Sequence, residues 1–326
     1  MAEVPAECVI GVDLGGTKAV AGAVDAKLAV HHRARREVPT TDLPALLATL
    51  TELVDEVRVA VGGEVAGVGF GIPCLIDQER GIAASSVHLP IEGLAFADVM
   101  AERLALPVFA DNDGNLALLA EHRAGAAADA RNAVMLTLGT GIAGGVVIGG
   151  ELYRGSQGAA GELGHMVVRA DGPDCGPGCP SRGCLESLVS GTALRRDARL
   201  LAAREPDGAL GRAQAAGREI SGPLVTELAH DGDPQALALL HGLGEWLGVG
   251  LVNVVNIFNP EVVVIGGGVI AAGELILEPA RRVLAGRALA LPAACARVEA
   301  ARFGADSGML GAALYARERL LERVSI

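Results

Sequence analysis

The hydrophobic and polar positions of the chain follow two periodicities. Short apolar runs that end in glycine or proline predict buried strands, whereas apolar residues that recur every three or four positions predict helices. In the first part of the chain, strands are predicted in ECVIGVD, KAVAGAVD, VAGVGFGIP and PVFADND, and helices in LPALLATLTELVDEVRVAV, FADVMAERLAL and GNLALLAEHRAG. Strands that alternate with helices in this way indicate an α/β fold, in which helices cover a mainly parallel sheet.

A strand, a glycine turn and a second strand occur twice along the chain. The first copy is ECVIGVDLGGTKAVAGAVD and the second is AVMLTLGTGIAGGVVIGGEL, so that Gly141 follows Gly15 by 126 residues. We interpret this as an internal duplication that gives two similar α/β halves. We therefore expect an N-terminal lobe over residues 1–111, a C-terminal lobe over residues 112–306 with a hinge where they join, and a terminal helix over about 307–326 that packs back on the N-terminal lobe.

Composition narrows the class of protein. With 326 residues, of which 51% are hydrophobic, the chain can bury a large core. A net charge of −12 and an aromatic content of 2% argue against a nucleic-acid surface. We identify no apolar run of the ~18 residues that a membrane span needs. The first residues, MAEVPAECVIGVD, carry no basic segment before their apolar stretch, so we expect a cytoplasmic protein with reduced thiols.

Three glycine turns follow predicted strands. Backbone N–H groups in such turns can cradle phosphate oxygens, because no Cβ blocks their approach. The second turn matches G-x-G-x-x-G, but a strand-like segment follows it where a dinucleotide fingerprint needs a helix. Any one of these turns could simply close a hairpin. Their number and the rare lysine in the first turn favour nucleotide phosphates, with these candidates: Gly15, Gly16, Thr17 and Lys18; Gly139, Thr140 and Gly141; Gly266, Gly267 and Gly268.

A carboxylate stands where a predicted strand meets a predicted helix, in ADNDGNLALLAE. The carboxylate is Asp113, and its structural role would be to cap the helix that follows. Asp111, at the strand end, fits the capping role better.

Three of the six cysteines lie close together with a histidine in GHMVVRADGPDCGPGCPSRGCLES. His165, Cys175, Cys179 and Cys184 form a Cys₃His set of the kind that holds structural zinc. A disulfide or plain buried thiols are the alternatives, and reduced cytosolic thiols make the disulfide the weaker one. The remaining cysteines are predicted to be buried thiols in apolar strands: Cys8, Cys74 and Cys295.

Several motifs together resemble one known family. DLGGTK at residues 13–18, the turn at 139–145, GELGH at 161–165 and GCLE at 183–186 are similar to the ROK family of sugar kinases and repressors, and the similarity runs from about Cys8 to Leu314. Within that family the chain looks most like the bacterial glucokinases. The resemblance implies an actin-like ATPase fold of the ribonuclease H type, with two duplicated α/β lobes around a cleft, and ATP-dependent phosphorylation of a hexose, here glucose at the 6-hydroxyl.

The resemblance also assigns roles to individual residues. It places Asn112 and Asp113 on the sugar, with Asp113 as the catalytic base at the 6-hydroxyl. Glu162, His165 and Glu186 would contact the hydroxyls near the anomeric end. His165 would do so with one ring nitrogen, and its other ring nitrogen would bind the zinc ion of loop 165–186. ATP would bind with Mg²⁺ whose water shell Asp13 organises, and Lys18 would be either a phosphate contact or an exposed turn lysine.

Two positions depart from the family pattern. Most members show C-x-C-x₄-C, whereas this chain has C-x₃-C-x₄-C with Pro177 in place of the usual first cysteine. His88 stands where many relatives have asparagine close to the sugar. The rival functions are phosphorylation of N-acetylmannosamine, fructose or mannose, a polyphosphate donor, and a sugar-responsive regulator without turnover. Asp113 and the seven residues before the first strand argue against the regulator, and a homodimer is usual in the family.

Overall fold

The computed structural model describes residues 8–62, 64–77, 81–86 and 89–324. The chain forms two compact units, of which the first comprises residues 1–129, 145–161 and 302–326, and the second comprises residues 130–144 and 162–301. The predicted boundary at residue 111 therefore differs from the observed division, in which the chain first leaves one unit for the other after residue 129.

The sheet of the first unit is mixed. Its strands and an accompanying hairpin are β1 (Val9–Leu14), β2 (Lys18–Val24), β3 (Val30–Glu37), β4 (Val68–Ile72), β5 (Leu75–Asp77), β6 (Ile82–Ser85) and β7 (Val108–Asn112). The five-stranded sheet has the order β3-β2-β1-β4-β7, and β5 and β6 form a separate two-stranded sheet. β1, β2 and β3 are antiparallel neighbours, whereas β1, β4 and β7 run parallel, so the carboxyl ends of β1 and β7 meet at one edge.

Three helices follow these strands: α1 (Leu43–Ala60), α2 (Phe96–Leu104) and α3 (Asp113–Ala124). α1 begins after Asp42, whose side chain accepts a hydrogen bond from the backbone N–H of Ala45 at 3.1 Å and so satisfies an N–H group of the first turn. Phe70 of β4 and Phe96 of α2 are fully buried and meet edge to face, with ring centroids 5.3 Å apart.

A second sheet repeats the strand order of the first. Its strands are β8 (Ala133–Leu138), β9 (Ile142–Ile148), β10 (Glu151–Leu152), β11 (Val262–Gly266) and β12 (Arg297–Ala300). The order is β10-β9-β8-β11-β12, which places the third, second, first and fourth strands of each half in the same succession. This correspondence confirms the internal duplication that the two glycine turns predict.

The helices of the second unit are α4 (Glu186–Val189), α5 (Gly191–Arg204), α6 (Ala209–Ala215), α7 (Gly222–His230), α8 (Pro234–Phe258), α9 (Glu274–Arg287) and α10 (Ala290–Cys295). α8 is long and apolar enough to cross a membrane, contrary to the expectation that no segment is. Half of its most apolar 18-residue window is buried within the protein, and α8 packs along α9, so the hydrophobicity is that of a core helix.

The last helix, α11 (Ser307–Val324), packs against β1, β4 and α3 within the first unit. Glycine permits this close approach on both sides. A Cβ at Gly11 or Gly69 would overlap a backbone carbonyl oxygen of α11, and a Cβ at Gly311 would overlap the carbonyl oxygen of Leu116 in α3. Because α3 is held by α11 in this way, it belongs to the first unit, which the chain first leaves after residue 129 and not at residue 111.

A buried carboxylate fixes the start of α11. Glu121 of α3 is fully buried, and its oxygens accept hydrogen bonds from the backbone N–H groups of Ala126 (2.9 Å), Arg302 (3.0 Å) and Phe303 (2.9 Å) and from the hydroxyl of Ser307 (2.8 Å). Since four donors converge on one carboxylate, the segment 302–307 is anchored at the point where it returns to the first unit.

Candidate functional site

The predicted base lies at the junction of β7 and α3. The side-chain oxygen of Asn112 accepts hydrogen bonds from the backbone N–H groups of Gly114 at 2.9 Å and Asn115 at 3.2 Å, so Asn112 caps α3. Its amide nitrogen donates to the carbonyl of Cys74 at 3.3 Å. The expectation that Asp111 is the better capping residue is wrong, because Asn112, one position later, accepts from the first N–H groups of the helix. The side chain of Asp113 also accepts from the N–H of Gly114, at 2.9 Å.

Asp113 is the first residue of α3 and is half-buried. A negative charge is favourable there because the N–H groups of the first turn point out of the N-terminal end of the helix and give it a partial positive charge. The negative charge of Asp113 also acts on the thiol of Cys74. Burial chiefly, and the carboxylates of Asp113 and Asp111, raise the pKa of Cys74 to about 12, so this thiol stays protonated and neutral beside the predicted base.

Asp13 lies near the carboxyl end of β1, against the first turn of α11. A Cβ at Gly308 would come within 2.7 Å of the Asp13 carboxyl carbon, so glycine is required for this approach. Burial raises the pKa of Asp13 to about 6, and the Lys18 ammonium opposes the shift. The ionised carboxylate is thus held at a cost that a nearby cation would relieve.

The first glycine turn closes the hairpin between β1 and β2. The N–H of Gly15 donates to the carbonyl of Lys18 at 2.9 Å, and the carbonyl of Thr17 accepts from Val38 at 3.0 Å. The Lys18 side chain is exposed. The hairpin interpretation of this turn is therefore correct, and the N–H of Gly15 is already hydrogen-bonded within it.

The second glycine turn joins β8 to β9 and is tied to Glu186. The N–H of Gly139 donates to Gly141 at 2.9 Å, and the carbonyl of Gly139 accepts from Gly191, at the start of α5, at 2.8 Å. The N–H of Ile142 donates to the carboxylate of Glu186 at 2.7 Å. A Cβ at Gly141 would overlap that carboxylate, so the glycine makes room for Glu186 as well as for the turn.

The third glycine turn follows β11. Gly267 has φ +85° and lies against the backbone of Leu138, where no Cβ fits. Gly268 begins a short 3₁₀ turn that leads to α9. A groove of 830 Å³ opens beside this turn, between the N-terminal ends of α8 and α9, and is lined mainly by apolar side chains, among them Leu237, Ala272 and Leu275.

The four predicted zinc ligands converge. Cys175 Sγ lies 3.4 Å from His165 Nδ1 and Cys179 Sγ lies 3.9 Å from Cys184 Sγ, and all four ligand atoms are within 4.8 Å of one another. Tetrahedral zinc with ordinary bond lengths requires about 3.5 Å between sulfur and nitrogen and about 3.8 Å between two sulfurs. No described cysteine forms a disulfide, so the side chains present fit a zinc ion.

Glycine conformations explain how the unusual cysteine spacing still brings the ligand atoms together. Gly176 has φ +120° and Gly178 has φ +83°, so the chain reverses between Cys175 and Cys179 and returns both sulfurs to the cluster. Gly183 has φ +63° and lies against the carbonyl of Arg169, where a Cβ would overlap.

The predicted sugar ligands of the second unit surround this cluster. His165 directs Nδ1 at Cys175, while its Nε2 lies 3.8 Å from a carboxylate oxygen of Glu162. The Cys175 sulfur lies 3.9 Å from the other oxygen of Glu186. Burial chiefly, and the charge of Glu186, raise the pKa of Glu162, and His165 opposes the shift. The structure therefore brings Glu162, His165 and Glu186 together.

Three further sequence-based expectations have different outcomes. Cys8 and Cys74 are buried as predicted, but Cys295 is exposed at the end of α10, so the expectation of a buried thiol there is wrong. Its surroundings are rich in alanine and predict a strand, whereas the segment is a short exposed helix. His88 lies outside the described residues.

Sequence reasoning missed Arg154, whose guanidinium binds Asp111 beside the predicted base. The signal available was weak, because 43 residues separate the two and no motif joins them. It also missed the backbone N–H of Ile142, which a side-chain motif does not reveal.

The chain is similar to known proteins over almost its whole length. The profile of the ROK family matches residues 9–319. A glucokinase from Streptomyces coelicolor is 34% identical over 95% of this chain and 97% of its own, and the xylose repressor of Bacillus subtilis is 32% identical over 68% of this chain and 53% of its own. A ROK family glucokinase from Streptomyces griseus, solved with glucose and AMPPNP, has a TM-score of 0.85 and 34% identity over 95% of this chain and 99% of its own. With the repeated strand order, this likeness confirms the actin-like ATPase fold.

Proposed function

Because the chain belongs to the ROK family, we propose that it is a glucokinase, which transfers the γ-phosphoryl group of ATP to the 6-hydroxyl of glucose. The observation that carries this proposal is the match to glucokinases over 97% and 99% of their own lengths, at 34% identity. The xylose repressor of Bacillus subtilis is matched over only 53% of its own length.

Asp113 is the group that accepts the proton in this proposal. In-line transfer needs the 6-hydroxyl oxygen held toward the γ-phosphorus while its proton is removed. The position of Asp113 at the start of α3 supports this role, since the Asn112 cap and the bond from Asn112 to Cys74 fix the backbone on which Asp113 stands. Asn112 adds a polar group beside the same hydroxyl.

Asp13 and the glycine turns form the nucleotide side of the site. Mg²⁺ that accompanies ATP neutralises phosphate charge when bound, and the partly desolvated carboxylate of Asp13 is suited to hold its water shell. Lys18 supplies a positive charge on the same hairpin. The turns at Gly139–Gly141 and Gly266–Gly268 are the other phosphate contacts in this proposal, and the apolar groove beside the latter suits the base of ATP.

Glu162, His165 and Glu186 bind glucose hydroxyls in this proposal, and a structural zinc ion held by His165 and the three cysteines stiffens their loop. The orientation of His165 supports this arrangement, because Nδ1 faces the sulfurs and leaves Nε2 for Glu162 and a hydroxyl. Glu186 is set by Ile142 rather than by the loop alone. The protein is further expected to be a homodimer, which light scattering tests, and to be located in the cytoplasm.

The experiment is a coupled assay with glucose, mannose, fructose and N-acetylmannosamine, each with ATP and with polyphosphate. Glucose with ATP should give the highest kcat/KM, at least ~10-fold above mannose, because the axial C2 group leaves a buried partner unpaired. Asp113→Asn should lower kcat by at least ~10² and change glucose affinity by less than ~10-fold. Asp42→Asn, at the start of α1, is the matched control and should match wild type.

A higher kcat/KM with another sugar or with polyphosphate would overturn the glucokinase assignment, although the protein would still be a sugar kinase. Absence of turnover with every sugar would overturn the enzyme itself and favour a regulator. A near-normal kcat in Asp113→Asn would remove Asp113 as the base.

A further inference from the structure

An ion pair between a buried carboxylate and a half-buried arginine stands directly before the predicted base. Asp111 is 1% exposed, and one of its oxygens accepts from Arg154 Nε at 2.8 Å and lies 2.7 Å from Arg154 Nη2. The other oxygen accepts from the backbone N–H of Asn112 at 2.7 Å and from the side-chain amide of Asn115 at 3.3 Å. Asp111 thus connects Arg154 to the residue that caps α3.

Arg154 is itself held at both ends. Its carbonyl accepts a hydrogen bond from Ala160 at 3.1 Å, which closes the loop 154–160, and the preceding N–H, of Tyr153, donates to Val146 at 2.8 Å. Its guanidinium lies 5.7 Å from the centre of the Tyr315 ring in α11. The arginine therefore presents a fixed fork to Asp111, rather than a mobile surface charge.

This arrangement is expensive for stability alone. Asp111 is buried and Arg154 is half-buried, so the loss of hydration of their charges offsets part of the attraction between them. The arrangement also leaves a side-chain oxygen of Asn115 buried and without a partner among the described residues, because the amide of Asn115 is turned toward Asp111. Such costs are commonly retained where side chains must be held in one position for function.

We propose that Arg154 is a positioning residue which, through Asp111, sets the backbone of Asn112 and Asp113 for phosphoryl transfer. The inference rests on the proposed kinase function. Without the guanidinium, the Asp111 carboxylate is drawn toward water, the bond to the N–H of Asn112 is lost, and the first turn of α3 is free to shift. Arg154 does not touch the reacting atoms, so it acts on turnover through Asp113.

The test is steady-state kinetics of Arg154→Met and Arg154→Lys with glucose and ATP. Displacing a catalytic group by about 1 Å costs on the order of 10²-fold, so kcat of Arg154→Met should fall ~10- to 100-fold. KM for ATP should change by less than about twofold, because the change is at the acceptor side. Lysine retains the charge and one donor, so Arg154→Lys should recover part of kcat.

The matched control is Arg123→Met, which removes the ion pair of Arg123 in α3 with Glu318 in α11, at the opposite end of α3 from Asp113. It should leave kcat unchanged. Rates are expressed per glucose-binding site, counted by calorimetric titration, so that unfolded protein does not enter. A wild-type kcat per site in Arg154→Met, or the same loss in both arginine variants at position 154, would overturn the inference. A wild-type protein without turnover would instead refute the proposed function.

Discussion

Replacing Asp13 by Asn should stabilise the protein at neutral pH while it abolishes turnover. The pKa of Asp13 is raised from 3.8 to about 6, chiefly by burial. The folded chain therefore binds the proton more tightly than the unfolded chain does, and ionisation lowers the free energy of unfolding as pH rises from 3.8 through about 6. Asn has the shape of Asp and no charge to lose, so the variant escapes this penalty.

The size of the gain follows from the two pKa values. With 3.8 unfolded and about 6 folded, the penalty on the wild type is about 1 kcal/mol at pH 4.5 and about 3 kcal/mol at pH 7.5. Asp13→Asn should therefore unfold with a free energy about 3 kcal/mol higher at pH 7.5, and most of this difference should vanish at pH 4.5. The isosteric amide preserves the approach of Gly308.

The assay is urea unfolding of both proteins, followed by circular dichroism at several pH values in magnesium-free buffer. Asp42→Asn is the matched control, because Asn caps a helix about as well as Asp, and it should change stability by less than ~0.5 kcal/mol at every pH. A destabilised Asp13→Asn at pH 7.5, or a gain that does not depend on pH, would refute the account of Asp13 as a carboxylate held ionised at a cost.

Two other perturbations test the zinc cluster and the start of α11. Purified protein should carry about one zinc per chain. Cys175→Ser should lose the zinc together with glucose affinity, whereas Cys295→Ser, which changes an exposed cysteine, should retain both. Wild-type protein that is fully active without zinc would contradict the proposed zinc site. Glu121→Gln replaces one acceptor oxygen by an amino group that faces two other donors. Urea unfolding should therefore show a free energy of unfolding lower by about 3 kcal/mol or more. A decrease below about 1 kcal/mol would show that the four hydrogen bonds do not act together.

Features encoded by local pattern could be predicted from the sequence. The duplication was visible because each half begins with the same strand, glycine turn and strand, and the structure repeats the strand order. His165 and the three cysteines could be chosen because zinc ligands are recognisable by residue type. Whether Cys175 reaches the cluster could not, since that depends on the positive φ angles of Gly176 and Gly178, which spacing alone does not reveal.

Features that depend on distant pairing could not be predicted. Arg154 and Asp111 are far apart in sequence, and only the folded segment 145–161 brings them together. The boundary at residue 111 was placed from the end of a strand, but packing of α3 on α11 decides where the unit ends. Asn112 and Asp111 are both good capping residues, so residue type could not decide between them.

The position of α11 has a consequence for the order of synthesis. β1 begins at Val9, and the helix that packs on it begins at Ser307, about 300 residues later. At ~5–20 residues per second, a nascent chain waits roughly 15–60 s between emergence of the strand and arrival of its helix. During that time the faces at Gly11 and Gly69 lack their covering, whereas every residue of the second unit has been made by Ala301. The unit that begins later in the sequence is thus the first whose chain is complete.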